Sequence, residues 1–124
     1  MYEVVLYETP AGSKPIEKFM MELSKKHKDD NITQIQAMLE DFQELGFGLN
    51  NKIKNAIKPL RDQIFELRPS PSRIFFFHHI DGMFVLLHGF EKKCQKTPKS
   101  EIDKAVKEKN SFIKRYKNEE VNNY

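Results

Sequence analysis

The sequence predicts an α+β fold in which an N-terminal helical hairpin packs on an antiparallel β-sheet and a further helix follows. Three observations lead there. Two apolar stripes near the start, Ile16, Phe19, Met20, Leu23 and then Ile32, Ile35, Met38, Leu39, Phe42, repeat at the spacing of one buried helix face. The stretch Arg73 to Phe90 holds two runs rich in aromatic and β-branched residues around Asp81-Gly82, a dipeptide suited to a tight hairpin turn. Finally, Ile102, Ala105, Val106, Phe112 and Ile113 form an apolar stripe on the charged background of Ser100 to Tyr116.

Taken in order, Tyr2 to Tyr7 alternates loosely and stops at Pro10-Ala11-Gly12-Ser13, which predicts a first strand and a loop. Ser13 or Lys14 caps the first helix, Pro15 sits in its first turn, and the stripe ends near Lys26. Asp29-Asp30-Asn31 supplies a turn and a cap for the second helix, which Leu45-Gly46 closes. Phe47 to Pro59, with its glycines and Asn50-Asn51, reads as irregular backbone. Gln63 to Leu67 is a short strand. Arg68-Pro69-Ser70-Pro71-Ser72 interrupts it, because neither proline can donate to a ladder. The two runs that follow are almost continuously apolar, so they are expected to be central strands covered on both faces. Thr97 or Ser100 caps the last helix, with Glu101 and Asp103 in its favourable first turn. Residues 1–117 read as one domain, a normal size for a chain of 124 residues, and 118–124 as a polar tail.

Composition narrows the function. The single Cys94 cannot form an internal disulfide, no apolar stretch is long enough to cross a bilayer, and the N-terminus lacks a basic-then-apolar signal pattern, so a soluble cytoplasmic protein is expected. The net charge is +3, but it is unevenly spread. From Lys52 to Lys99 the basic residues Lys52, Lys54, Lys58, Arg61, Arg68, Arg73, Lys92, Lys93, Lys96 and Lys99 face only Asp62, Glu66, Asp81 and Glu91, a balance of +6. Positive charge gathered over one sheet and its exits suits a nucleic-acid backbone, with Lys52, Lys54, Lys58, Arg61, Lys96 and Lys99 as the RNA-contacting rim. The competing reading is an ordinary solvated surface.

The chemistry-bearing candidates are Arg68, Arg73, His88, Lys92 and Lys93, with His78 for proton transfer. A guanidinium grips two phosphate oxygens at once, while lysine supplies a compact charge. Cleavage of RNA by its own 2′-hydroxyl needs a base, cations on the scissile phosphate and an acid for the departing 5′-oxygen, and it needs no metal. Histidine titrates in the range required for either proton transfer. His78 and His79 point to opposite faces of a strand, and His88 follows Phe84 and Leu86 by simple alternation. Glu66 and Glu91 can orient the cations or act as a base. Phe75, Phe76 and Phe77 read as core rather than as a base-stacking platform. The histidines and Cys94 lack zinc-ligand spacing, and no glycine-rich nucleotide cradle occurs, so neither metal nor cofactor is expected.

The ordered series Lys58-Pro59-Leu60-Arg61-Asp62, Ile64 to Arg68, Arg73 to Phe77, Leu86 to Lys93 and Gln95-Lys96-Thr97-Pro98 resembles the RelE/ParE toxin superfamily, most closely its HigB-like, phage-associated branch. The resemblance implies a curved sheet and an endoribonuclease that cuts messenger RNA on translating ribosomes and is held inactive by a cognate antitoxin protein. It also implies that Arg73 contacts the scissile phosphate and that Lys92 or Lys93 assists the departing group. Two features depart from RelE itself: Glu66 stands where RelE has a lysine, and no tyrosine follows Phe90 before Pro98. ParE-like relatives instead poison DNA gyrase, and a non-catalytic RNA-binding module is the remaining alternative.

Overall fold

The two aromatic runs form the middle of the sheet, where both faces can be covered. The structure, a computed structural model, describes residues 1–80, 82–93 and 96–122. Asp81 of the expected turn and Cys94 lie outside them. The elements are β1 (Glu3–Leu6), α1 (Pro15–Lys25), α2 (Asp29–Leu45), a 3-10 turn (Gly46–Gly48), the single-turn α3 (Leu49–Lys52), β2 (Ile57–Pro59), β3 (Phe65–Leu67), β4 (Ser72–His78), β5 (Met83–Glu91) and α4 (Lys99–Asn122). The strand order is β1-β5-β4-β3-β2.

Strands β2 to β5 form an antiparallel meander, whereas β1 lies parallel to β5, Glu3 opposite Met83 through Leu6 opposite Leu86. The sheet is therefore mixed. Its parallel edge follows from connectivity, since the helical hairpin intervenes between β1 and the meander and lets β1 join β5 without a tight turn.

Alternation along the strands divides the core in two. Ile74, Phe76, Phe84 and Leu86 pack with Ile16, Phe19, Leu23, Ile35 and Phe42 on the helical-hairpin face. Phe75, Phe77, Val85 and Leu87 pack with Tyr7, Ile64 and Ala105 on the α4 face. The phenylalanine triplet is thus core, as its composition suggested.

The start of α1 agrees with one of its two expected caps, Lys14 being the N-cap before Pro15 while Ser13 exchanges hydrogen bonds with Thr9. Several other boundaries differ from expectation. Asp29 and Asp30 lie inside the first turn of α2, where their charge complements the helix dipole. The segment read as irregular contains a 3-10 turn, α3 and β2. The expected polar tail from Asn118 is the continuation of α4 to Asn122, consistent with the helix-forming Lys117, Glu119 and Glu120. Among the described residues, no helix is long and apolar enough to cross a membrane.

Two glycines fix how the helical hairpin meets the sheet. A Cβ on Gly46, whose φ is +57°, would lie 2.7 Å from the Tyr2 ring, and one on Gly89 would lie 2.5 Å from the Phe19 ring. Gly89 thereby lets α1 settle on β5. We expect Gly89→Ala to lower stability by about 1–3 kcal/mol through overpacking. A urea midpoint equal to that of the parent protein would refute this role.

The same end of β5 is tied to the hairpin by charge. Glu91 accepts hydrogen bonds from Lys28 and, at 3.4 Å, from Lys26. The Lys28 bond, against the opposing effect of burial, holds the Glu91 carboxyl below its ordinary range. Its stabilising contribution is therefore complete above the unfolded-state carboxylate pKa and lost as pH falls through the lowered folded-state value. Glu91→Gln should cost up to about 1 kcal/mol near neutrality and progressively less on acidification. A parent-minus-variant difference that does not change with pH would contradict the assignment.

Candidate functional site

Alternation on β3 turns Phe65 and Leu67 toward the helical hairpin and Glu66 toward α4. Glu66 is fully buried. The β3–β4 loop then brings the chain back so that two guanidinium groups flank this carboxylate, Arg68 Nε 3.9 Å from Oε2 and Arg73 Nε 3.8 Å from Oε1. Thr97 Oγ1 donates to Glu66 Oε1 at 2.9 Å, and Arg73 Nη1 donates to the Ser72 carbonyl at 2.8 Å. Among the described residues, Arg73 Nε and Glu66 Oε2 are buried without a hydrogen-bond partner.

The site thus holds more donor capacity than Glu66 uses. The Arg73 side chain is 10% exposed, whereas that of Arg68 is 29% exposed. Burial, followed by the charge of Arg68, pushes the Arg73 guanidinium below its ordinary pKa, partly offset by Glu66. An oxyanion near the pair would relieve repulsion between the two cations that one carboxylate only partly balances. The two arginines are therefore brought together around Glu66.

Around them, Lys58 stands opposite Glu66 in the β2–β3 register, and a groove beside it is lined by Leu60, Lys96, Thr97 and Ile102. Lys92 and Lys93 follow β5 at the same end, where the Lys92 backbone N–H donates to the Pro71 carbonyl at 3.0 Å. Lys99 is exposed in the first turn of α4. Other expected rim residues are diverted. Lys52 pairs with Asp41 on α2 at 2.9 Å, and Arg61 is engaged by Asp62 at 2.6 Å and by Asp103. Lys54 is exposed in the turn before β2.

His88 shares the arginine face because of a β-bulge. The β4–β5 register shifts between Ile74, opposite Gly89, and Phe76, opposite Leu86, so Leu87 and His88 together face Phe75. Simple alternation would have put His88 with Leu86 on the helical-hairpin face. Instead it lies beneath α4 and is 3% exposed, with Nδ1 2.6 Å from Glu108 Oε1 and Nε2 3.6 Å from Glu101 Oε2. His78 is a correction of another kind. It is exposed on the helical-hairpin face, against Phe47 and Phe84, and five residues along β4 from Arg73. It cannot serve proton transfer at the arginines from there. His79 packs against Phe112 and Tyr116 of α4.

Sequence reasoning treated Thr97 as a helix cap and Glu101 as a dipole partner, and it did not single out Glu108. A signal was present for both glutamates: they stand four residues before and three after the buried Ala105, on the stripe that meets the sheet. Among the described residues, no three of histidine, cysteine, aspartate and glutamate gather as a metal-binding group.

The chain matches the family described as Phage derived protein Gp49-like (DUF891) over residues 18–110, three quarters of its length. It belongs to this family. The Gp49-like match includes Glu66, Arg68, Arg73, His88, Thr97 and Glu108, so the whole cluster lies within it. No curated protein matches the chain. The small α+β scaffold of this Gp49-like protein is consistent with that of RelE/ParE-like toxins.

Proposed function

We propose that this protein is the toxin of a type II toxin-antitoxin system, related to RelE and HigB, and that it is an endoribonuclease acting on messenger RNA at the translating ribosome. The observation that carries this reading is the pair Arg68 and Arg73 converging on one buried carboxylate at a lysine-rimmed end of the sheet. In the proposed reaction, the 2′-oxygen attacks the neighbouring phosphorus and the bond to the 5′-oxygen breaks. The guanidinium groups stabilise the charge that accumulates on the non-bridging oxygens. Glu66 positions both cations, and Lys92 and Lys93, which follow β5 at the same end, are proposed to favour departure of the 5′-oxygen. His88 is held beneath α4 with Glu108 on its ring, so a proton-transfer role for it requires α4 to move aside. The cognate antitoxin is proposed to neutralise this basic surface.

Ribosomes programmed with a defined messenger test the reading. Cuts that require translation and the added protein are expected, while gyrase supercoiling in parallel is unaffected. Inhibited supercoiling with intact RNA would favour the ParE-like alternative. Binding of RNA without either effect would leave a non-catalytic module.

A further inference from the structure

On the opposite face of the sheet from Arg73, beyond the end of the β3–β4 ladder, Phe47, Gln63, Phe65 and His78 line a notch. Phe65 faces Phe76 in the ladder, and continuing that register sets Gln63 level with His78. The Phe47 ring lies 4.8 Å from Phe65 at 60° and 5.9 Å from His78 at 88°, so the aromatic walls meet at steep angles rather than closing face to face. Phe47 is 41% exposed, although its ring reaches the core residues Phe76 and Phe84. The apolar wall is thus supported from below and open above.

The polar component comes from an unusual piece of backbone. Asp62 and Gln63 both have left-handed conformations, φ +55° and +62°, a costly arrangement for consecutive non-glycine residues. The loop is held from the other side, where Lys109 Nζ donates to the Asp62 carbonyl and Asp62 pairs with Arg61. Gln63 is left at the notch with an amide that can both donate and accept. Among the described residues, those lining the notch carry no carboxylate, ammonium or guanidinium.

We propose that this notch binds an unpaired nucleobase. Aromatic walls provide a surface for a flat π-system, and the single primary amide matches a donor–acceptor edge such as that of adenine. Three aromatic rings and an amide among the described lining residues suit the ring of a nucleotide rather than its phosphate. The site is separate from the arginine cluster, so base binding stands independently of RNA cleavage, and Arg73→Ala should leave it intact.

Titration of the isotopically labelled protein, followed by NMR, decides the matter with adenosine 5′-monophosphate and a short single-stranded oligoadenylate as probes. Saturable shifts at the Gln63 side-chain amide and the Phe47 and His78 rings are expected with at least one probe. Tighter binding of the oligonucleotide would identify a base within a strand, and equal binding a free nucleotide. Phe47→Ala should weaken binding about tenfold by removing one stacking wall. Gln63→Gly, which relieves the left-handed backbone and so preserves the fold, should also weaken it. No saturable shift with either probe, or undiminished binding in both folded variants, would overturn the proposal.

Discussion

Arg73→Ala should reduce messenger cleavage by about two to three orders of magnitude, the range expected when one preorganised donor to a developing oxyanion is lost. The size follows from position. Arg73 is almost buried, its Nη1 is anchored on the Ser72 carbonyl, and its Nε is close to Glu66 without hydrogen-bonding to it. Such a donor needs little reorganisation to meet a phosphate, and solvent screens it weakly. Arg68 is more exposed, so Arg68→Ala should cost less. Arg73→Lys preserves a charge but not the planar fork and should fall between the parent and Arg73→Ala. Cleavage rates on programmed ribosomes, with circular dichroism to verify folding, provide the comparison. Full activity in folded Arg73→Ala would remove Arg73 from the reaction.

Glu66→Ala should lower folding stability by about 3 kcal/mol, because it strands a mostly buried guanidinium beside a second cation. Thr97 would lose its acceptor as well, loosening the approach to α4. Glu66→Gln retains an oxygen for Thr97 and should destabilise less. The double variant Glu66→Leu/Arg73→Met removes charge and counter-charge together, and should recover much of the stability while leaving cleavage abolished. Urea unfolding at neutral pH measures all three. A Glu66→Ala midpoint equal to that of the parent would mean that the carboxylate does not hold the arginines.

The architecture was legible because local patterns agreed with one another. The helical stripes and the long apolar runs each specified an element, and their sum permits few packings. The parallel placement of β1 was not legible, because a four-residue edge strand carries no mark of its partner. Arg68 and Arg73 could be singled out as charges bordering buried strands. The register that joins them through Glu66 is a tertiary property.

His88 shows the limit most clearly. A one-residue bulge reverses the face assigned by alternation, and nothing in Leu86-Leu87-His88-Gly89 announces it. Gly89 is consistent with close packing of α1, but a strand glycine has several causes. The rim charges were legible only as composition. Pairing with Asp41, Asp62 and Asp103 takes Lys52 and Arg61 out of the free positive field; Asp62 is Arg61's neighbour in the chain, but Asp41 on α2 and Asp103 on α4 are brought close only by the fold.

The most direct measurement compares two messengers on programmed ribosomes, one fully ribonucleotide and one with a single 2′-deoxynucleotide at the cut position. If the clustered cations act on an attacking 2′-oxygen, the first should be cut to leave a 2′,3′-cyclic phosphate and a 5′-hydroxyl, and the second should remain whole. Equal cutting of both messengers, or cutting of neither, would contradict that mechanism.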